Sequence, residues 1–595
     1  MRRSGLAHPD DALRRLARGS ANPLGGGFND RAPREKRPPR PWWVFVLLFG
    51  GIVFGVLLIL PLFAHHDLIV IKGIENHAFI TKERLQKNLV EVQVLPVSRI
   101  RSAKLRIDNT PMRVLEQGGS LKWLAPNLQD GEHRLTVSSG QRFLWRAPTK
   151  RVIRFTVDST PPVIEIETPS APVSLSAPYT LRGSVERGST VVIDGKPVTT
   201  DDGSFMKKYP FPPIGEVDVV ATDQAGNQSA AAQPRQIVYP VFRGLHLSAD
   251  AWNTPGQRLS AFRMADAKRI NTVQLDLKDE NGMVVYDSAL AQVVNLRSGA
   301  NIYDLRDAVV ALHSRGIRVM GRVVVFRDPV FVHDAMLEGR GSDVVLGLND
   351  EPFLSQEGLF ANPLSTRVRD YNVAIAREAA DAGVDDILFD FVSRPLGKID
   401  EMKFAGALGD VNVAIDDAMS AFLRQAARSL LGTPTRIGVT VAGAAARSPK
   451  SVGQNVPKMA AMVDYVAPIV FPSKFHSGAY GIGSPSLNPA TIVDRALNQF
   501  KEQVTPSGAA LLPWLQDYSV GPFVYGQREL KAQVEASRAL GIESFLVWDP
   551  KATYSAAGFP ADAPTIEIAS RLPQRSPSDG PGPTAATVVT TSNGA

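Results

Sequence analysis

The sequence predicts a multidomain chain: a single apolar helix long enough to span a membrane, two all-β sandwiches, and an α/β barrel of the (β/α)8 type. Three observations predict it. Residues 42–64, WWVFVLLFGGIVFGVLLILPLFA, run for 23 residues without a charge. Between about 66 and 238, short β-branched and aromatic runs are bounded by turn residues, the pattern of sandwich strands. From about 240, strand-like runs alternate with helical stretches until eight strands have been counted, the grammar of βα units closing into a barrel.

The chain begins with an arm, residues 1–41, that is rich in Arg, Pro and Gly and reads as disordered. Residues 1–40 hold ten Arg and Lys against four Asp and Glu, so the arm carries +6 of the formal +7 and the rest about +1. No folded part is basic, which argues against a nucleic-acid-binding domain. At 44% hydrophobic and 21% charged the composition is that of a globular protein. The absence of cysteine excludes disulfides and thiol catalysis.

The span 42–64 exceeds the roughly 20 apolar residues that cross a bilayer. Trp42 and Trp43 suit the interface, and the preceding REKRPPR suits the cytoplasmic side. The competing reading is a cleaved signal peptide, whose apolar core is usually about 7–15 residues behind a short basic start. Here the run is longer and starts after residue 40. The expectation is a retained single-pass anchor in the cell membrane, with a cytoplasmic N-terminus and everything after residue 65 outside.

The first sandwich is expected over 66–158, with strands such as HRLTV (133–137) and VIRFTV (152–157), and the second over 159–238. Asp-Gly pairs at 130–131, 194–195 and 202–203 fit tight hairpin turns. LQDGEHRLTV, FTVDSTPPVIEI, VVIDGKPVTTDDGSF and ATDQAGN resemble strands and turns of bacterial immunoglobulin-like modules. They read as a stalk; glycan binding by one of them is the alternative, although neither shows an aromatic platform.

The barrel is expected over 239–572, followed by a loose tail, 573–595. Its strands read as 243–249, 272–279, 318–326, 386–392, 436–443, 465–472, 510–517 and 544–550. Gly316, Gly383 and Gly541 stop the helices before the third, fourth and eighth strands. An open doubly wound sheet is the rival, disfavoured because no glycine-rich phosphate loop follows the first strand.

In such a barrel the site lies at the C-terminal strand ends, and these are polar. The period-two alternation of the second strand places Gln274, Asp276 and Lys278 on one face, with Asp276 and Lys278 as natural ion-pair partners. The third strand carries Arg322 and runs toward Asp328. The fourth, DDILFDFVSRP, sets Asp390 inside an apolar run and leads to Arg394. A charge there is costly unless it is paired. Lys474 and His476 follow the sixth strand, Trp514, Gln516 and Asp517 the seventh, and Trp548 and Asp549 the eighth. Indoles that stack on sugar rings, and charged or amide groups that bond hydroxyls, suit a carbohydrate. Paired carboxyl groups supply the acid and the base or nucleophile of glycoside cleavage. The candidate catalytic residues are therefore Asp390 with Asp276, Asp517 or Asp549. The candidate substrate-binding residues are Arg322, Lys278, Arg394, Lys474, Trp514, Gln516 and Trp548. The bland readings stand beside these: Asp390 as a structural ion-pair partner of Arg322 or Arg394, the tryptophans as packing, His476 as an exposed loop residue. No His and carboxylate cluster has metal-ligand spacing, so neither metal nor cofactor is predicted. No GxSxG elbow is present, against an esterase of the usual hydrolase fold.

RGLHLSADAW, NTVQLDLKDENGMVVYDS, GRVVVFRDPV, DYNVAIAREAADAGVDDILFDFVSRP, VDYVAPIVFPSKF and LLPWLQDY occur in that order over most of 241–555. Together they resemble the glycoside hydrolase-like barrel domain of bacterial proteins, long carried as a domain of unknown function. The resemblance implies a barrel that acts on or binds polysaccharide. It also marks departures. Where the family reads FDYxRFP this chain has FDFVSRP, so Asp390 is kept, Ser393 takes the arginine position and Arg394 is displaced by one. Thr440 stands where the family has an acid after the fifth strand, and Lys474 where it commonly has histidine. The expected function is a membrane-anchored glycoside hydrolase-like protein acting on a cell-envelope or exported polysaccharide. The alternative is a catalytically inactive glycan-binding or scaffold protein on the same barrel.

Overall fold

The computed structural model describes residues 67–87, 90–123, 127–140, 148–167, 171–233 and 237–568. The expected arm, membrane span and tail lie outside them. Among the described residues no helix is long and apolar enough to cross a membrane.

Two sheet-rich units come first. One pairs a four-stranded sheet (Leu68–Lys72, Glu91–Leu95, Ser120–Trp123, Val114–Gln117) with a five-stranded sheet built on Gly131–Ser139 and Thr149–Val157. Alternate residues such as Val92, Val94, Leu135 and Val137 point inward and share one core with Trp123. The other packs two four-stranded sheets over Leu181, Ile193, Phe205 and Val219. Asp194-Gly195 and Asp202-Gly203 are tight hairpin turns with left-handed φ at both residues, as expected. Asp130-Gly131 is not a hairpin: the strands on either side of it belong to different sheets, so it carries the chain from one to the other.

Eight parallel strands then close into a barrel: β1 Arg243–Leu247, β2 Thr272–Lys278, β3 Arg318–Val324, β4 Asp386–Asp390, β5 Arg436–Ala442, β6 Tyr465–Ile469, β7 Trp514–Gln516 and β8 Phe545–Trp548. Each pairs with the next, and β8 with β1. All eight fall within the expected runs. They are buried on both faces, which is why the runs are so apolar. Along β4, Ile387 and Phe389 face the helices, with Phe389 edge-on to Phe422 at 5.0 Å. Leu388 lies in the interior with Met320, Tyr465 and Leu546. Gly316, Gly383 and Gly541 take left-handed φ at the predicted helix ends.

The lower end of the barrel is shut. Buried Ile566 joins the interior cluster, and the backbone carbonyl of Glu567 accepts from Arg318 at 2.5 Å. The second sheet-rich unit docks on this end. Arg436, the first residue of β5, donates to the carbonyls of Pro212 (2.5 Å) and Leu175 (3.0 Å), and Ile214 enters the barrel's core. Gly215, at φ +68°, lies so close to the chain that a Cβ would come within 2.8 Å of the Ala461 carbonyl oxygen. The C-terminal strand ends therefore open away from that unit.

Candidate active site

The strand ends surround a cavity of about 790 Å³. Arg322, brought inward by β3, is the centre of its floor. Its Nε donates to Asp390 Oδ2 at 2.9 Å, Nη1 to Asp276 Oδ1 at 2.9 Å and Nη2 to Glu280 Oε1 at 3.0 Å, and Nη2 also ion-pairs with Asp390 Oδ2 at 2.8 Å. One guanidinium thus holds three carboxylates. The Trp548 and Trp514 rings flank it at 5.1 and 5.8 Å.

Asp390 is only 3% exposed, yet it lines the cavity. Its Oδ1 accepts the Phe391 N–H at 2.8 Å and the Thr440 hydroxyl. Phe391 has φ +50°, a strained conformation for a bulky residue. That turn ends β4 while the Phe391 N–H bonds the carboxylate beside it. The buried charge of DILFDFV is therefore compensated by Arg322, by a backbone amide and by Thr440. Arg394 lines the cavity but takes no part in this compensation: its guanidinium donates to the carbonyls of Lys450, Pro395 and Gly397.

Asp276 lies behind the floor and does not line the cavity. Burial alone would raise its carboxyl, but His246 (Nε2 at 3.0 Å) and Arg322 outweigh that and hold it down at about 2. His246 in turn stacks on Trp548 at 4.0 Å. Glu280, on the loop after β2, does line the cavity. Burial pushes it up, and Arg322 more than reverses this. Its Oε1 and Asp390 Oδ2 lie against the same Arg322 nitrogen, Nη2, at 3.0 and 2.8 Å.

Glu357 is the third carboxyl in the cavity. It sits in a tight turn whose ends, Ser355 and Gly358, exchange backbone hydrogen bonds. Burial raises its carboxyl above the ordinary value; Arg327 opposes this, Asp390 adds to it and Lys474 opposes it.

Several sequence expectations are corrected. The register between β2 and β3 slips at Asp276/Lys278, and the slip turns Lys278 away from the mouth. Lys278 instead ion-pairs with Asp328 at 2.5 Å and bonds Asn372 on helix Thr366–Asp381. The expected Asp276–Lys278 pair does not form. Asp328 caps helix Pro329–Leu337. Asp517, Asp549 and Gln516 do not line the cavity. Asp517 accepts the Ser555 N–H at 2.7 Å, and burial pushes it up to about 6. Asp549 accepts the N–H groups of Lys551 and Thr553, which folds the loop after β8. Gln516 accepts from Ser473 and so ties together the loops after β6 and β7. Trp514 is 2% exposed and packs edge-on to Trp548, so it is a floor residue rather than an open platform. Phe475, Tyr480 and Tyr518, each half-buried, present the open aromatic surface with Trp548. Lys474 and His476 line the cavity and are exposed.

Sequence reasoning missed Glu280, Arg327 and Glu357. The first two directly follow β2 and β3, so the strand-end rule that selected Asp390 would have reached them. Glu357 lies in the long connection after β3, where no periodicity marks it.

The family model described as "Putative glycosyl hydrolase domain" matches residues 244–554, more than half of the chain. The chain belongs to this family. No curated protein matches it. Among solved structures, this glycosyl hydrolase-family chain is 15% identical to the PgaB (BpsB) glycoside hydrolase domain from Bordetella bronchiseptica, with a TM-score of 0.37, covering 53% of this chain and 95% of that one. The spore cortex-lytic enzyme SleL of Bacillus megaterium matches at 11% identity and TM-score 0.33, over 56% and 76%. The α-galactosidase TtGalA of Thermus thermophilus matches at 13% identity and TM-score 0.33, over 74% and 91%.

Proposed function

We propose that the barrel cleaves a glycosidic bond of a polysaccharide in this cavity, with Glu357 as general acid and Asp390 as the carboxylate across the bond. The observation that carries the reading is that one cavity holds both kinds of carboxyl. Asp390 is held by the Arg322 guanidinium, the Phe391 N–H and the Thr440 hydroxyl. Glu357 is biased by burial toward its acid form. In glycoside cleavage the acid form protonates the leaving oxygen as the C–O bond breaks, and the fixed carboxylate faces the positive charge that grows on the sugar ring. Water supplies the hydroxyl that bonds the anomeric carbon, while its proton passes to a carboxylate of the cavity. Glu280, on the same Arg322 nitrogen, adds negative potential beneath that ring.

The same proposal places the barrel outside the cytoplasm, anchored through residues 42–64 and held on the two sheet-rich units as an immunoglobulin-like stalk. In its support, the second unit docks on the closed end, leaving the mouth free to meet a polymer.

The test is product release from cell-wall and exported polysaccharides by the wild-type chain, Asp390→Asn and Glu357→Gln. Release by wild type, lost in both variants, is expected. Equal release by wild type and Asp390→Asn refutes the assignment. Binding without cleavage, unchanged in the variants, favours the non-catalytic glycan-binding reading. One feature favours that reading: Thr440 stands where the family has an acid, and both Asp390 oxygens already accept hydrogen bonds.

A further inference from the structure

Charge is divided across the cavity. On the floor, one cation, Arg322, faces Asp276, Glu280 and Asp390. The walls carry the opposite sign. Arg327, Lys474 and Arg447 line the same cavity, and among the described residues no carboxylate ion-pairs with any of them. Arg327 lies 5.2 Å from the Phe391 ring, and its Nε is buried without a hydrogen-bond partner. Arg447 rests over the Tyr480 ring at 5.1 Å. Lys474 is exposed at the rim. Glu357, whose carboxyl feels both Arg327 and Lys474, is biased by burial toward its neutral form.

A neutral sugar seated here would strip water from these cations and return only hydroxyl oxygens. A carboxylate or sulfate returns charge-assisted hydrogen bonds, and the planar forks of two arginines suit such groups. We propose that the glycan is acidic: its carboxylate or sulfate groups bind Arg327, Lys474 and Arg447 while the bond to be cleaved lies over Asp390. The position of the bond rests on the hydrolase reading; the preference for an anion is a property of binding and does not.

The experiment compares retention of the full chain on polygalacturonate against its carboxyl-reduced form, and on dextran sulfate against dextran, at low and moderate salt. The basic arm also attracts polyanions, so the decisive protein is Lys474→Gln/Arg447→Gln, which keeps the arm and removes two exposed wall cations. Wild type is expected to prefer at least one acidic polymer over its neutral partner by about tenfold or more. The double variant is expected to lose most of that preference. The two polymer pairs tell carboxylate from sulfate. Equal binding of acidic and neutral forms, a preference undiminished in the double variant, or no retention of either acidic polymer overturns the proposal. A charge preference without product release sinks the hydrolase reading and leaves this one standing. Product release with no charge preference does the reverse.

Discussion

Replacing Arg322 with Met removes the one cation on which Asp276, Glu280 and Asp390 converge, while keeping much of the side chain's bulk between Trp514 and Trp548. Removing one member of a buried ion pair typically costs about 3–5 kcal/mol, because it leaves an uncompensated charge. The pH dependence carries the sharper signature. In the wild type Asp276 is held at about 2, below its ordinary value. A carboxyl depressed in this way contributes about 2 kcal/mol at neutral pH, lost as pH falls toward 2. In Arg322→Met, Asp276 keeps only His246 and Glu280 loses the cation that outweighs its burial, so the folded-state proton affinity of both carboxyls rises. The variant's stability should then fall as pH rises from about 4 to 7, opposite to the wild-type trend at the acid end. The assay is urea denaturation at pH 3 to 7, read at the barrel's own transition because three units need not unfold together. A loss below about 1 kcal/mol with a wild-type pH slope would refute the reasoning, since the carboxylates would then not depend on Arg322.

Glu357→Gln should lower turnover by about 10²–10⁴-fold and abolish the alkaline limb of the pH–rate profile, because the acid form is the working one and is lost as pH rises through its elevated pKa. Thr440→Val leaves Asp390 Oδ1 with only the Phe391 N–H and should lower the barrel's stability by about 1–3 kcal/mol, measured as a shift in its denaturation midpoint. Asp517, raised to about 6, favours folding in its protonated form, so that contribution is present at low pH and lost as pH climbs from about 4 to 6. Asp517→Asn keeps an acceptor for the Ser555 N–H and should stabilise the chain above pH 6 by up to about 3 kcal/mol, with little change near pH 4.

The barrel was legible because its strands are buried on both faces and its helices stop at glycines, signals that are local in sequence. Asp390 was legible for the same reason, a charge inside an apolar run. Lys278 was misread because a one-residue slip of register reverses the face of the residues beyond it, and a bulge leaves no mark in the alternation of polar and apolar residues. Asp517 and Asp549 do sit at strand ends, but their loops fold back and spend the carboxylates on backbone N–H groups. Nothing in composition tells a carboxylate that faces a cavity from one that staples a loop. Glu357 shows the converse: its turn is closed by local hydrogen bonds between Ser355 and Gly358, but nothing in the sequence says that the turn lies over the cavity.

The charge pattern bears on Thr440 and Ser393, positions where the resemblance drawn from the sequence implies an acid and an arginine. An acid at position 440 would lie against Asp390 Oδ1, and Arg322 would then have four carboxylates to neutralise instead of three. Two carboxyl groups that close cannot both ionise, so one would hold a proton and become the acid of the pair. With Thr440 the neighbour is a neutral donor, so under the hydrolase proposal the acid comes from elsewhere in the cavity. Glu357 fits that role because burial favours its neutral form and it lies within electrostatic reach of Asp390. The arginine displaced to 394 binds loop carbonyls, leaving Arg327 and Lys474 as the cations that face Glu357. Thr440→Asp combined with Glu357→Gln should therefore restore part of the activity that Glu357→Gln alone removes. If the double variant is no more active than the single one, the role assigned to Thr440 is wrong.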